Sequence, residues 1–139
     1  MATPAGESPN LLSTSELGPF AEFLGLEVTA AGPDEVTAVW TVTAALLQPY
    51  GMLHGGAHCG VVETLASLAA SLWLGPDGRV VGTTNSTDFY RATRAGDRLS
   101  SVARPVHRGR SRQVWRVETH DDHGRLVSAG QVAIQNLTG

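Results

Sequence analysis

Two features of the sequence could act on a carbonyl group. His54-Gly55-Gly56 comes just before residues 57–74, which have no Pro, one Gly and many helix formers. Free N–H groups and the positive dipole end of a helix N-terminus can stabilise an oxyanion, and glycine lets a substrate approach the backbone closely. The simpler interpretation is that Gly55-Gly56 makes a tight turn into the helix and that His54 is a polar cap.

Glu63 is the only charged side chain of the predicted helix. The apolar residues that cover most of the helix circumference are Val61, Val62, Leu65, Leu68, Ala69, Leu72 and Trp73. This pattern predicts a helix buried at the centre of the structure, where an unpaired carboxylate is costly. Glu63 is then either a structural carboxylate satisfied by hydroxyls or a general base or nucleophile for acyl transfer. Ser67, four residues later, lies on the same helical face and within its reach.

The elements around this helix follow from turn signals and from alternation. Residues 20–24 have the spacing of a short amphipathic helix, and residues 26–31 and 35–43 predict a hairpin around Gly32-Pro33-Asp34. Residues 44–56 are predicted as a loop. Four strands are predicted over residues 79–90, 97–107, 110–120 and 125–136, and their close spacing favours antiparallel meanders. We therefore expect an α+β domain over residues 16–139, with one long helix wrapped by an antiparallel sheet of about five or six strands. Residues 1–15 are predicted to be a disordered leader.

Composition limits the remaining functions. Apolar residues make up 42% of the 139 residues and charged residues 17%, as in globular proteins, and the net charge of -3 argues against a nucleic-acid partner. All basic residues are Arg, which excludes lysine Schiff-base chemistry. The single Cys59 can form neither an intramolecular disulfide nor a cysteine-based metal site. We expect no signal peptide, no membrane segment and a cytoplasmic location.

The segment Gln48-Pro49-Tyr50-Gly51-Met52-Leu53-His54-Gly55-Gly56-Ala57, followed by Glu63 and Ser67, resembles the signature of the hotdog-fold thioesterases. It is most similar to the branch that includes 4-hydroxybenzoyl-CoA thioesterase of Arthrobacter type, 1,4-dihydroxy-2-naphthoyl-CoA thioesterase and the proofreading thioesterase of enterobactin synthesis. Residues 85–91, 104–110, 113–115 and 122–126 also look like family segments, so the resemblance covers roughly residues 18–136.

The resemblance implies hydrolysis of an acyl-CoA thioester. The N–H of Gly55 would polarise the carbonyl, and His54 would help to orient the thioester. Glu63 would attack the carbonyl to form a mixed anhydride or would activate water, while Gln48 and Ser67 position water and substrate. Glu rather than Asp at position 63 favours the aryl-CoA branch of the family.

The resemblance also implies partners and further contacts. The active site would lie between two subunits of a homodimer, with Gln48, His54 and Gly55 of one chain facing Glu63 and Ser67 of the other, and homotetramers are typical. By position, the expected coenzyme A contacts are Arg91, His107, Arg108, Gly109, Arg110 and Ser111, although a solvated strand face would also explain the arginines. Plausible acyl-pocket residues are Tyr50, Met52, His58, Val62 and Phe89; for His58 a polar role in the first helical turn is the simpler interpretation. No metal and no cofactor beyond the coenzyme A of the substrate is expected.

Three other functions remain open at this point. A hotdog hydratase or dehydratase would use His54 and Glu63 as an acid–base pair. A non-catalytic acyl-CoA-binding module would bind without turnover. An editing thioesterase would remove acyl groups from the phosphopantetheine of a carrier protein and would use the same residues as the acyl-CoA hydrolase.

Overall fold

The computed structural model describes residues 14–138, so residues 1–13 of the predicted leader lie outside the described residues. Two short 3₁₀ helices, Thr14–Leu17 and Ala44–Leu46, accompany the two α-helices, α1 (Pro19–Leu24) and α2 (Gly55–Leu74). The strands are β1 (Glu27–Ala31), β2 (Val36–Thr41), β3 (Gly78–Phe89), β4 (Arg98–Arg108), β5 (Arg112–His120) and β6 (Leu126–Thr138). The predicted order of one hairpin, one long helix and four further strands is confirmed.

The six strands form one antiparallel sheet in the order β1-β2-β4-β5-β6-β3. The predicted meander is correct for β4, β5 and β6 but wrong for β3. After α2 the chain enters the sheet at its far edge, where β3 pairs with β6 from Gly78↔Thr138 to Phe89↔Ser128. Because β3 has a neighbour on one side only, one edge of this long strand is free in the single chain.

Helix α2 packs one face on the concave side of the sheet. The residues that it buries are Ala57, His58, Val61, Val62, Leu65, Ala66, Ala69 and Ala70. The opposite face carries Glu63 and Ser71, which are both exposed. The prediction of a helix buried all round is therefore wrong, because small and polar residues separate the apolar ones on the side that the sheet leaves uncovered.

Helix α2 has the length and the apolar composition of a membrane-spanning segment. Length and composition alone do not decide between such a segment and the core helix of a folded domain. In the structure, however, α2 is the helix around which the sheet is wrapped, and its buried residues belong to the hydrophobic core. We describe it as the core helix of a folded domain.

A buried chain of hydrogen bonds fixes the sheet to the C-terminal half of α2. Gln113 donates through Nε2 to the Ala70 carbonyl at 3.2 Å and to Asn136 Oδ1 at 2.8 Å. The indole Nε1 of Trp115 donates to Gln113 Oε1 at 2.7 Å. Gln113 and Trp115 are fully buried. Such a network is stable only when each polar group has its partner.

Candidate active site

The N-terminus of α2 begins at Gly55, two residues earlier than predicted, so both glycines belong to its first turn. His54 is the N-cap, and its Nδ1 accepts a hydrogen bond from the Gly56 N–H at 2.7 Å. The capping role of His54 is thus confirmed. The Gly55 N–H has no acceptor among residues 14–138, so it is available for a substrate oxygen, while its role as the carbonyl polariser stays a prediction.

Phe89, the last residue of β3, covers Gly55. A Cβ atom at position 55 would lie 2.5 Å from Phe89 Cε2, which is closer than real Cβ contacts allow. Any larger residue at position 55 would displace the aromatic ring. The absence of a side chain at Gly55 thus lets the Phe89 ring lie directly over the start of α2.

A cavity of about 330 Å³ opens beside this helix start, and we call it the helix-start cavity. Its walls are formed by Gln48, Met52, Leu53, Gly55, His58, Phe89, Tyr90, Arg91 and Ala92. The structure therefore brings together six of the predicted site residues from three separate parts of the chain: Gln48, Met52, Gly55, His58, Phe89 and Arg91. Their proposed roles in catalysis and binding stay predictions.

Two of the predicted residues in the preceding loop contact each other. The backbone N–H of Tyr50 donates to Oε1 of Gln48, which holds the Gln48 amide in place within the loop. Tyr50 is 84% exposed and does not line the helix-start cavity. Val62, which was also considered for the acyl pocket, is fully buried in the core. Neither Tyr50 nor Val62 contributes to the cavity wall in the single chain.

Glu63 lies on the uncovered face of α2, and the prediction of a buried, unpaired carboxylate is wrong. Its side chain is exposed, and Asn85 of β3 donates to Glu63 Oε1 at 3.3 Å. The same Asn85 Nδ2 donates to the Cys59 carbonyl at 3.0 Å, and Thr87 Oγ1 donates to Asn85 Oδ1 at 2.7 Å. A neutral amide, fixed by its own neighbours, therefore orients the carboxylate. The sequence signal for Asn85 was weak, since it lies in a strand rich in Thr and Ser.

Gly82 of β3 lies close to the Glu63 carboxylate. A Cβ atom at position 82 would lie 3.1 Å from Glu63 Oε2 and 3.3 Å from Glu63 Cδ. The pairing of β3 with β6 shifts register between Gly82 and Thr84. This irregularity and the missing side chain let the strand pass close beneath the carboxylate.

Two further cavities meet at Glu63. One, of about 400 Å³, is lined by Phe20, Cys59, Gly60, Glu63, Thr64 and Asn85. The other, of about 430 Å³, is lined by Glu16, Leu17, Glu63, Thr64, Ser67, Leu68 and Ser71. Glu63 and Ser67 thus share a wall, as their spacing predicted, but within residues 14–138 they form no hydrogen bond with each other.

Gly55 and Glu63 lie in different cavities of the same chain. They are eight residues apart on α2, which corresponds to about 12 Å along the helix axis. A hydrogen-bond donor and a base or nucleophile that act on one carbonyl group must each approach it to about 3 Å. One chain alone therefore does not place its own Gly55 N–H and its own Glu63 on the same carbonyl.

Arg108 is held within the domain. Its Nη1 donates to the Pro33 carbonyl at 2.8 Å and to Asp34 Oδ1 at 2.7 Å. Its guanidinium also lies 5.6 Å from the ring centre of Trp73 and 5.8 Å from that of Trp115. These contacts give Arg108 a structural role, and its predicted contact with coenzyme A has no support of its own in the single chain.

The remaining predicted contacts with coenzyme A lie at two ends of α2. Arg91 lines the helix-start cavity, whereas the β4–β5 turn lies beside the C-terminal half of the helix, where Asn136 donates to the carbonyls of Gly109 and Arg110. Within residues 14–138 the side chains of Arg91 and Arg110 form no ion pair. The other turn residues, His107 and Ser111, are exposed. A single chain does not bring Arg91 and this turn to one phosphate group.

Among residues 14–138, no group of three His, Cys, Asp or Glu side chains could hold a metal ion. Burial lowers the pKa of the His58 imidazole from 6.5 to about 4. It is therefore neutral at physiological pH.

The chain is similar to known thioesterases over most of its length. Residues 50–128 match the model of the Thioesterase superfamily. A crystal structure of AziG from S. sahachiroi is 56% identical, with a TM-score of 0.87, and covers 88% of this chain and 99% of that one. The proofreading thioesterase EntH of Cronobacter turicensis is 38% identical over 122 residues, 88% of each protein. The 1,4-dihydroxy-2-naphthoyl-CoA hydrolase of Escherichia coli is 33% identical over 115 residues, 83% of this chain and 84% of that protein. The chain therefore belongs to the thioesterase superfamily, has the expected hotdog fold, and is a thioester hydrolase.

Proposed function

We propose that the protein hydrolyses acyl-CoA thioesters, with aromatic acyl groups preferred, and that Glu63 drives the reaction. The observation that carries this proposal is the pairing of an exposed carboxylate with a neutral donor, Asn85, on a helix whose N-terminal Gly55 N–H is free. A carboxylate in this setting is accessible and oriented. These are the properties that a nucleophile or a general base requires.

Two balanced reactions are open to Glu63. As a nucleophile, its carboxylate forms a bond to the thioester carbon, the C–S bond breaks, the thiolate leaves, and water then hydrolyses the mixed anhydride. As a general base, it takes a proton from water while the water oxygen attacks the same carbon; the C–S bond then breaks, and the departing thiolate takes up the proton from Glu63. In both reactions the negative charge on the carbonyl oxygen is stabilised by the Gly55 N–H. Trapping of an acylated Glu63 by hydroxylamine distinguishes the first reaction from the second.

The active site would be shared by two copies of the chain. The separation of about 12 Å between Gly55 and Glu63 along α2 supports this arrangement, because a second copy can supply the missing group. Two structural features suit such contact. The free edge of β3 can extend the sheet by antiparallel pairing, and the uncovered face of α2 has small residues, including Gly60 and Ser67. An antiparallel arrangement of the two helices would also bring the β4–β5 turn of one copy toward the Gly55 end of the other.

The shared site can be tested by mixing two inactive variants, His54→Ala and Glu63→Gln, after denaturation and joint refolding. In a two-fold dimer with shared sites, one site of each mixed dimer carries both changes and the other carries none. About a quarter of the original activity should return, since half of the dimers are mixed. No recovery, with each variant folded and dimeric, would place both residues in a site built from one chain.

The substrate class is proposed from the helix-start cavity and from the relatives. Met52 and Phe89 offer apolar and aromatic surface to an acyl group, while Arg91 and, from the second copy, Arg110 are free cations for the phosphates of coenzyme A. The proposal includes a cytoplasmic location and a dimer of dimers, in line with the family resemblance. The similarity to the E. coli 1,4-dihydroxy-2-naphthoyl-CoA hydrolase favours an aromatic substrate.

The decisive assay is thiol release from benzoyl-, hydroxybenzoyl-, dihydroxynaphthoyl-, phenylacetyl- and straight-chain acyl-CoAs. Glu63→Gln should lower kcat by a factor of about 10² to 10⁴, while its thermal unfolding remains close to that of the wild type. Glu35→Gln is the matched control, because Glu35 is an exposed carboxylate whose partner is Arg104 on a distant surface. Equal activity of wild type and Glu63→Gln would refute the proposed role.

A carrier-protein thioesterase is the second candidate, and the 38% identity to the proofreading thioesterase EntH favours it. Both functions use the same reacting groups and differ in what holds the phosphopantetheine. Acyl-carrier protein loaded with the same acyl group should then be hydrolysed with a higher kcat/KM than the coenzyme A ester. Replacement of Arg91 and Arg110 by Gln should lower kcat/KM for the coenzyme A ester only if the nucleotide phosphates are bound there.

A further inference from the structure

His58 is a buried polar residue without a hydrogen-bond partner. Only 3% of its surface is exposed, and its Nδ1 has no partner among residues 14–138. Leaving a buried donor or acceptor unpaired costs about 1–3 kcal/mol, so such groups are rare and need a reason. Neighbouring aromatic rings fix the imidazole: Trp40 meets it edge-on and Phe89 stacks on it, each with ring centres 5.8 Å apart.

His58 also forms part of the wall of the helix-start cavity. Thr93 and Ser128 carry the other buried polar side-chain atoms without a partner in the described part of the chain, and neither residue lines this cavity. The side chain with the unpaired Nδ1 therefore belongs to the wall of the space that an acyl group would occupy, and a substituent reaches this buried atom when the exposed Phe89 ring that stacks on the imidazole moves aside. His58 follows Gly55 by three residues, which places both residues on one side of α2, one helical turn apart.

We propose that His58 is a specificity-determining residue, whose imidazole forms a hydrogen bond with a neutral polar substituent, such as a hydroxyl group, on the acyl part of the substrate. The inference rests on the function proposed above and adds the recognition of the acyl group. With the thioester carbonyl at the Gly55 N–H, a substituent on a single aromatic ring reaches the neighbouring helical turn. A hydroxyl group suits the imidazole in either tautomer, because it can donate or accept.

The surroundings of His58 favour an uncharged substituent. Burial keeps the imidazole neutral, and the rings of Trp40 and Phe89 enclose it with apolar surface. A carboxylate on the acyl group would lose its hydration there without gaining a cationic partner. The nearest predicted cation in the cavity wall, Arg91, is exposed and belongs to the expected coenzyme A site.

The test compares kcat/KM for benzoyl-CoA with kcat/KM for its 2-, 3- and 4-hydroxy derivatives. The wild type should prefer at least one hydroxy isomer by about tenfold or more, the ratio expected when a ligand satisfies an otherwise unpaired buried group. His58→Leu should abolish this preference, so that the ratio of kcat/KM for the hydroxy esters to that for benzoyl-CoA falls to about one. His58→Asn should restore part of it, since its side-chain amide lies near the position of Nδ1.

Ser128→Ala is the matched control, because it removes another unpaired buried group that lies outside the cavity. It should keep the wild-type preference. Two outcomes would refute the role of His58 while the thioesterase proposal stands. In the first, the wild type hydrolyses these esters in a Glu63-dependent manner but shows no hydroxyl preference. In the second, His58→Leu lowers kcat/KM for all four esters by the same factor. If wild type hydrolyses no aromatic acyl-CoA, the proposed function itself fails. If His58→Leu does not fold, His58→Asn provides the comparison, and a hydroxyl preference unchanged from that of the wild type would refute the role of His58.

Discussion

Asn85 and Glu63 lie 3.3 Å apart, from the amide Nδ2 to the carboxylate Oε1, and they join the edge strand β3 to the uncovered face of α2. The same Nδ2 also donates to the Cys59 carbonyl, and Thr87 Oγ1 donates to Asn85 Oδ1, so the orientation of the amide is fixed. The candidate catalytic carboxylate is thus held by a neutral donor, and within residues 14–138 it forms no ion pair. A neutral donor orients a carboxylate without neutralising its charge.

Changing Asn85 should separate orientation from charge. Asn85→Ala should lower kcat about tenfold, because it removes the donor that orients Glu63. Asn85→Asp should move the acidic limb of the pH–rate profile to higher pH, because two adjacent carboxylates resist simultaneous ionisation. Full pH profiles of kcat/KM measure both effects. Ser86→Ala, an exposed neighbour on β3, should change neither, and an unshifted profile for Asn85→Asp would contradict the assigned contact.

Gly82→Ala should disturb the carboxylate without disrupting the strand. The added Cβ would lie 3.1 Å from Glu63 Oε2, so the carboxylate must move by a few tenths of an ångström. We expect kcat to fall by a factor of about ten, while the circular dichroism spectrum and the thermal unfolding remain nearly unchanged. Gly32→Ala is a suitable control, since its added Cβ would meet an ordinary contact at 3.9 Å from the Glu35 carbonyl. Undiminished activity of Gly82→Ala would show that this close approach has no catalytic importance.

The buried imidazole of His58 should make stability depend on pH. Its pKa in the folded protein is about 4, against 6.5 ordinarily, because burial disfavours the charged form. Between these values the unfolded chain binds a proton that the folded chain does not, so acidification favours unfolding. The contribution amounts to about 3 kcal/mol across this range. The free energy of unfolding is measured in urea at pH 6.5 and at pH 4. Its decrease between these two pH values should be smaller for His58→Asn than for the wild type, by roughly this amount. Equal losses would show that His58 titrates normally.

Gln113→Leu should be strongly destabilising. It removes the partner of the Trp115 indole and of Asn136 Oδ1, and it leaves the Ala70 carbonyl with one hydrogen bond fewer. Unpaired buried groups cost about 1–3 kcal/mol each, so the melting temperature should fall by about 5–10 °C. Glu118→Gln is the control, because it breaks only an exposed ion pair with Arg116, and it should shift the melting temperature by about 1 °C or less. A small effect of Gln113→Leu, measured at equal protein concentration, would contradict the importance of this network.

Local signals in the sequence predicted most of the architecture. The turn at Gly32-Pro33-Asp34 and the stop at Gly75 mark element ends that the structure confirms within a few residues. The position of β3 beside β6 could not be predicted, because alternation identifies a strand but not its neighbour. For the same reason the contact between Asn85 and Glu63 was missed, since it depends on which strand passes beneath the helix.

The environment of Glu63 was predicted wrongly for a related reason. The helix composition indicated burial all round, but Gly60, Thr64 and Ser67 lie on the side that the sheet does not cover. Small residues are compatible with a buried helix face and with an exposed one. Only the curvature of the sheet, which depends on all six strands, decides between them. His58 shows the opposite case, in which a polar residue near a helix start proved to be fully enclosed.

The position of β3 also affects the order in which the protein can fold. Its first residue, Gly78, pairs with Thr138, so β3 must wait during synthesis until the last strand has left the ribosome. Hairpins β4–β5 and β5–β6 close over short distances, whereas the β3–β6 pairing closes a long loop and should form late. From the completion of β3 at Phe89 until β6 is made, the nascent chain would carry an unpaired strand next to an apolar helix, which is the kind of surface that chaperones recognise.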